Sequence, residues 1–207
     1  MKHIKYLYFC EDLAHRIFLD HFLEQLPNYL KRENEITLVK PESYHSAGFM
    51  FKNYNHSQIK NTYLDVAFKA IEDYRLDIFI VGLDLESSSQ NQFELLLAEM
   101  NESLPQGDNK VVIYLSVQCI EHWLWYLKNR KNNLDITKSL QLENELRSKA
   151  KEQVYGKSKV SNEKVTPILH GLLEKIDLDY LNNQSYSFRD FLHKIKEFAM
   201  TQNKSKS

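Results

Sequence analysis

Glycine and proline are scarce in this 207-residue chain, five and four in all. With so few flexible or helix-breaking positions, long helices and short connections are expected, in one compact domain or a core with a small appendage. Cysteine is scarcer still: Cys10 and Cys119 each lie in an apolar run. Two thiols so placed exclude a disulfide framework and a cysteine-built zinc centre, and read as small buried hydrophobes of a reduced, cytoplasmic protein. The stretch MKHIKYLYFCED is charged too early and apolar too briefly for a signal peptide, and no window approaches the roughly 18 apolar residues of a membrane span, so no membrane partner is expected. Neither G-x-x-x-x-G-K-[ST] nor G-x-G-x-x-G occurs, which argues against a P-loop ATPase or a dinucleotide enzyme, and without G-x-S-x-G a serine hydrolase is disfavoured. Eight histidines are scattered without an H-E-x-x-H pair. Zinc hydrolysis therefore has no motif.

Charge of one sign is also lacking, with a formal net charge of −1. Its distribution is uneven. From Lys128 to Lys164 there are ten Lys/Arg (128, 130, 131, 138, 147, 149, 151, 157, 159 and 164) against five Asp/Glu (135, 143, 145, 152 and 163). That segment carries about +5 and the remainder about −6, which fits either a basic surface beside an acidic site or a solvated helical face.

What is present in quantity is regular alternation. IKYLYFC (Ile4 to Cys10) is a near-continuous apolar run, as in a strand covered on both faces, and Leu13, Ile17, Phe18, Phe22 and Leu26 then recur at helical spacing up to a stop at Pro27. EITLVK (Glu35 to Lys40) is a short strand followed by an irregular loop. A helix starting at Ser57 leads into the strand DIFIVGLDLE. Ser89 and Gln92 have capping-box spacing before the next helix, NKVVIYLSVQC is a further strand, and IEHWLWYLKNRK opens a helix whose Trp123, Leu124 and Leu127 face a core. Trp123, Trp125 and Tyr126 read better as core than as a base-stacking platform.

The order β-α-β-α-β-α-β-α predicts an α/β fold. Its sheet is mostly parallel and four-stranded or slightly larger, with helices on both faces, over residues 1–132. Residues 133–200 read as an all-helical extension packed on that core, with one helix over SLQLENELRSKAKEQVYGKSKV and another capped at Ser187 with Asp190, and 201–207 as a frayed tail.

In such sheets function collects at the carboxyl ends of the strands. Three strands run into acid there: Glu11 after the first, Asp84 and Glu86 after IFIVGL, and Glu121 after IYLSVQCI. On an extended chain Asp84 and Glu86 point to the same side, and two carboxylates so close repel unless a cation sits between them. A hard divalent ion such as Mg²⁺ suits that pair. The plainer alternatives are solvated acids opening a loop and, for Glu11, an acid in the first turn of a helix. His15, one helical turn after Glu11, either reaches the same ion or is a surface residue.

An acid after the first strand and a D-x-[DE] after a later one, on alternating strands and helices, resemble the TOPRIM domain of primases, topoisomerases and OLD-family nucleases. YLYFCEDLAHRIFLDHFL, FIVGLDLESS, SVQCIEHWLWYLK and QVYGKSK resemble its small stand-alone RloB-type branch, over about residues 4 to 160. The resemblance implies a TOPRIM/Rossmann-like fold and cleavage of phosphodiester bonds in DNA or RNA with Mg²⁺ or Mn²⁺, as effector of a prokaryotic defence complex with a partner ATPase. A homo-oligomer is compatible with it. By position, Glu11 matches the first acid, Asp84 and Glu86 the D-x-D pair, Glu121 the glutamate of F-E-x-W, and Lys157 a lysine of the C-terminal part. Asp84, Glu86 and Glu11 would then hold the ion, with Glu11 a ligand or general base, Glu121 completing the site and Lys157 stabilising phosphorane-like charge. Two departures stand out. E-G-x-x-E is here Glu11-Asp12-Leu13-Ala14-His15, and D-x-D is D-x-E, which leaves open an altered ion preference or a module that binds a partner ATPase or nucleic acid without cleaving.

Overall fold

The computed structural model describes residues 1–32, 35–107, 109–132 and 140–201. Asp135, Lys138, Ser139 and the tail from 202 lie outside the described residues. Four strands, β1 (Lys2–Cys10), β2 (Ile36–Val39), β3 (Ile78–Asp84) and β4 (Val111–Ser116), form an all-parallel sheet in the order β2-β1-β3-β4. Between and after them come α1 (Leu13–Tyr29), α2 (His56–Tyr74), α3 (Gln90–Glu102) and α4 (Glu121–Asn132). The chain continues through α5 (Arg147–Tyr155), α6 (Asn162–Leu173), α7 (Leu178–Gln184) and α8 (Tyr186–Thr201).

Every residue of β3 and β4 is buried, so their apolar runs are those of strands covered on both faces. From β1 the chain passes to β2 on one side and, through α2, to β3 on the other. With right-handed crossovers this reversal puts α1 on one face and α2 and α3 on the opposite one, and it opens a crevice beyond the carboxyl ends of β1 and β3. The edge strand β4 is shielded by α8, whose Lys194 Nζ donates to the Ile113 carbonyl at 3.1 Å.

The C-terminal helices share the core. Phe18 and Phe22 of α1, Trp123 of α4 and Phe188 and Phe191 of α8 form one aromatic cluster, with ring centroids 5.4 Å apart for Phe18–Trp123, 5.2 Å for Trp123–Phe188 and 5.2 Å for Phe22–Phe191. Tyr114 of β4 joins it at 4.6 Å from Phe191. The phenol of Tyr114 crosses over Gly82, where a Cβ would collide with the hydroxyl end of the ring.

Several local expectations need correction. Pro27 does not stop α1, which runs on to Tyr29. A proline in the last turn forfeits a single backbone bond, and Leu26 and Pro27 are both buried there. The loop before α2 contains two 3₁₀ turns, Glu42–Ser46 and Gly48–Phe51, and α2 starts at His56 because Asn55 and Gln58 form a reciprocal capping box. SLQLENELRSKAKEQVYGKSKV is not one helix: a 3₁₀ turn at Leu142–Asn144 precedes α5, which ends at Gly156 in the left-handed conformation, φ 80°. Ser89 caps α3 as expected, its hydroxyl accepting from the Gln92 N–H. For α8 the cap is Ser185, accepting from Phe188 N–H at 3.1 Å, while Ser187 lies buried in the first turn. Both serines donate to the buried Glu143 carboxylate, at 2.7 and 2.8 Å, and Ser187 also accepts from Trp123 Nε1, so a polar network sets the start of the helix.

Gly82→Ala is expected to displace Tyr114 and lower the unfolding free energy by about 1–3 kcal/mol, the usual cost of overpacking, as read by urea denaturation.

Candidate functional site

Asp84 ends β3 opposite Ser116 of β4, and Glu11 follows β1 beside it. The crevice between β1 and β3 therefore receives two acids from the strands themselves. Glu11 Oε1 accepts the backbone N–H of Asp84 at 2.9 Å. Asp84 is 1% exposed, and both of its oxygens are occupied by donors of the protein. Oδ1 accepts from His15 Nε2 at 2.9 Å, Ser116 Oγ at 2.6 Å and the Ile120 N–H at 2.9 Å. Oδ2 accepts from Arg147 Nη2 at 2.7 Å.

Glu86 reaches the same guanidinium, its Oε1 accepting from Arg147 Nη1 at 2.8 Å. It does so from a turn. The strand stops at Asp84 and Glu86 has φ 58°, so the pair does not share a face of an extended chain as the two-residue spacing suggests. The longer glutamate arm, 57% exposed, closes the gap to the guanidinium.

His15 is neither a surface residue nor free. It is fully buried, with Nδ1 2.7 Å from the Tyr114 hydroxyl and Nε2 on Asp84. Nε2 faces a carboxylate and so carries a proton; Nδ1 accepts from the phenol in the neutral ring and donates to it in the charged one. Burial alone would push the imidazole down, but the charge and hydrogen bond of Asp84, with Asp12 and Glu11 behind, raise it to about 9. Asp84 is held below the usual carboxylate range despite its burial, because His15, Arg147 and Ser116 outweigh desolvation. Glu11 moves the other way, to about 7, through burial and the charge of Asp84.

Glu121, the first residue of α4, is 2% exposed and follows the Ile120 amide that grips Asp84. Its carboxylate turns toward α5: Oε1 accepts from Tyr155 Oη at 3.3 Å and lies 3.7 Å from Lys151 Nζ. Oε2 is buried without a partner among the described residues, and burial followed by the charges of Asp84 and Asp12 raises its pKa. Glu121, Asp12, Asn53, Lys151, Tyr155 and Ser158 line a small polar cleft of about 160 Å³. Lys157 is exposed and forms no ion pair with an acid among the described residues. The residues of α5 that meet them are Arg147, Lys151 and Tyr155.

The basic segment is largely consumed inside the fold. Lys128 Nζ donates to the Gln153 and Val154 carbonyls at the end of α5, Lys131 to the Gly171 carbonyl of α6, and Arg130 pairs with Asp177. Lys149 pairs with Glu145. Lys157, Lys159 and Lys164 remain exposed, their side chains without an ion pair or hydrogen bond among the described residues.

As arranged, the acids do not fit a Mg²⁺ or Mn²⁺ ion. Such ions need carboxylate oxygens with free lone pairs, and those of Asp84 are directed at four protein donors. Asp84 and Glu86 are matched by the charges of Arg147 and His15, which leaves little net attraction for a divalent cation. Among the described residues no group of three or more His, Cys, Asp or Glu side chains is placed to hold a metal ion. Sequence reasoning brought Glu11, Asp84 and Glu86 together and missed Arg147, Ser116 and Tyr114. Ser116 could have been found as the last residue of β4, whereas Arg147 carries no mark distinguishing it from the other basic residues of its segment.

The His15 pKa is raised on folding, so its stabilisation is complete below about pH 6.5 and is lost as the pH climbs through about 9. Glu11, also raised, adds a loss between its ordinary range and about 7, whereas Asp84, lowered, contributes stability that is present above the ordinary aspartate range and is lost as the pH falls below it. Unfolding free energy is therefore expected to fall by on the order of 2–3 kcal/mol between pH 6.5 and 9, and by much less in His15→Gln, as measured by denaturant titration at each pH.

No family model, curated protein or solved structure matches the chain.

Proposed function

We propose that this chain is a TOPRIM-like module that does not cleave: it binds the phosphate backbone of DNA or RNA as a subunit beside a partner ATPase. The observation that carries this reading is the occupancy of Asp84. A carboxylate gripped by His15, Ser116, Ile120 and Arg147 acts as a structural tie, and Glu86 beside it already shares the Arg147 guanidinium. The crevice at the carboxyl ends of β1 and β3, where α/β folds bind their ligands, is thereby filled with the protein's own ion pairs.

Binding falls to the lysines that the fold leaves free. Lys157 and Lys159 follow α5, Lys164 lies in the first turn of α6, and Ser158 between them lines the polar cleft. The two segments border the cleft that Glu121 lines, through Ser158 and Asn162. Phosphate contacts by such residues position a strand without reading its sequence.

A second reading keeps the Mg²⁺- or Mn²⁺-dependent nuclease. What favours it is the meeting of Glu11 and Asp84 at the ends of neighbouring strands, the place where the resemblance puts a catalytic pair.

The two readings differ in a plasmid assay run with the partner ATPase present. The non-cleaving module leaves supercoiled DNA and single-stranded RNA intact in Mg²⁺ or Mn²⁺, whereas cleavage by wild type that Glu11→Ala abolishes establishes the nuclease. In fluorescence anisotropy, changing Lys157, Lys159 and Lys164 together to Glu is expected to weaken binding roughly tenfold or more and to reduce the salt slope by about 2–3. Unchanged binding and an unchanged slope would refute the lysine surface.

A further inference from the structure

We infer that Arg147 is the resident cation of the acid cluster: its guanidinium occupies the place between Asp84 and Glu86 where the sequence pattern calls for a divalent ion, and it keeps such ions out. Resting on the non-cleaving reading, this role for Arg147 explains how a D-x-E pair persists without an ion.

The geometry is that of a fork across two acids. Nη2 meets Asp84 Oδ2 at 2.7 Å and Nη1 meets Glu86 Oε1 at 2.8 Å, so one planar group satisfies both carboxylates through separate nitrogens. Only a guanidinium has that reach with that fixed angle between donors, and a lysine ammonium would serve one acid at a time.

Arg147 is also firmly carried. It is the first residue of α5, and the turn before it is fastened from two directions. From the β4–α4 connection, Gln118 Nε2 donates to the Glu143 and Glu145 carbonyls at 2.8 and 2.6 Å, and His122 Nε2 lies 2.9 Å from the Glu145 carbonyl. From the start of α8, Ser185 and Ser187 hold the Glu143 carboxylate. Gln118 itself is in the left-handed region, φ 57°, with its N–H on the Ser87 carbonyl, so the strained turn that aims its amide also anchors the loop carrying Glu86. Arg147 thus belongs to a braced structure, with its side chain 34% exposed at the mouth of the crevice.

Removing the guanidinium would leave Asp84 Oδ2 and Glu86 Oε1 without the cation that they share. Those are oxygen ligands from two acids, the donor type that a hard cation takes alongside its own waters, on the exposed side of the crevice. A divalent ion would then replace the missing charge.

The test is a Mn²⁺ titration followed by the electron paramagnetic resonance signal of the free ion. Wild type and Arg147→Lys are expected to leave Mn²⁺ free into the millimolar range. Arg147→Ala is expected to bind it at least roughly tenfold more tightly, and Arg147→Ala with Glu86→Gln to lose most of that gain. Near-UV circular dichroism checks folding, and if Arg147→Ala does not fold, Arg147→Gln, which keeps length and a neutral donor, is measured with the same expectation. Wild type binding Mn²⁺ as tightly as the folded neutral variant would overturn the assignment, and so would a folded neutral variant that binds none. Because the readout is ion binding alone, loss of the lysine surface or of nucleic-acid affinity bears on the proposed function and leaves this result standing.

Discussion

The structure depends on one buried carboxylate. Asp84 receives a donor from each of four places: His15 on α1, Ser116 at the end of β4, the Ile120 amide ahead of α4 and Arg147 at the start of α5. An isolated charge at that depth would be prohibitive, and the compensation is complete only when all four elements are in their final places. The same contacts that make the charge tolerable fix α1 and α5 against the sheet. Removing one donor leaves the others aimed at a poorly matched group, and removing Asp84 leaves a buried imidazolium and half of an arginine fork without a counter-charge.

That arrangement changes what the neighbouring acids are. In an ion-binding cluster each carboxylate is kept ionised by the metal. Here Glu11 and Glu121 are instead pushed upward by burial and by the charge of Asp84. At the centre of the crevice, Asp84 and Glu86 have their charges met from inside the fold by His15 and Arg147.

Much of the fold was legible in the chain because its signals are local. Apolar runs such as Ile78 to Leu83 with helical stripes between them specify a parallel sheet, and the topology alone places Glu11 and Asp84 at one crevice. The illegible parts are those decided by a distant partner. Ser187 has a capping pattern two residues after the serine that caps α8, because Glu143 captures both hydroxyls. His15 looks like any polar residue on an amphipathic helix, and its buried partners, Asp84 and the Tyr114 phenol that the Gly82 gap admits, lie far from it in the chain. Arg147 is one cation among the basic residues of its segment. What selects it is the bracing of the turn by Gln118 and His122, which no spacing rule encodes.

The two departures from the motif that the chain resembles then act as one change. An acid at position 15 would put a second carboxylate against Asp84, at a separation close to the 2.9 Å now spanned by the His15 hydrogen bond. Two carboxylates so near cannot both ionise without a cation between them, which ties a motif of that kind to a metal. Histidine reverses the requirement, because it supplies positive charge from the position where an acid would demand it. With Asp84 half neutralised from inside, one further cation suffices for the pair with Glu86, and the extra methylene of glutamate over aspartate lets Glu86 reach a guanidinium held by α5. Histidine at 15, glutamate at 86 and arginine at 147 are therefore parts of one electrostatic solution, and each would be costly without the other two.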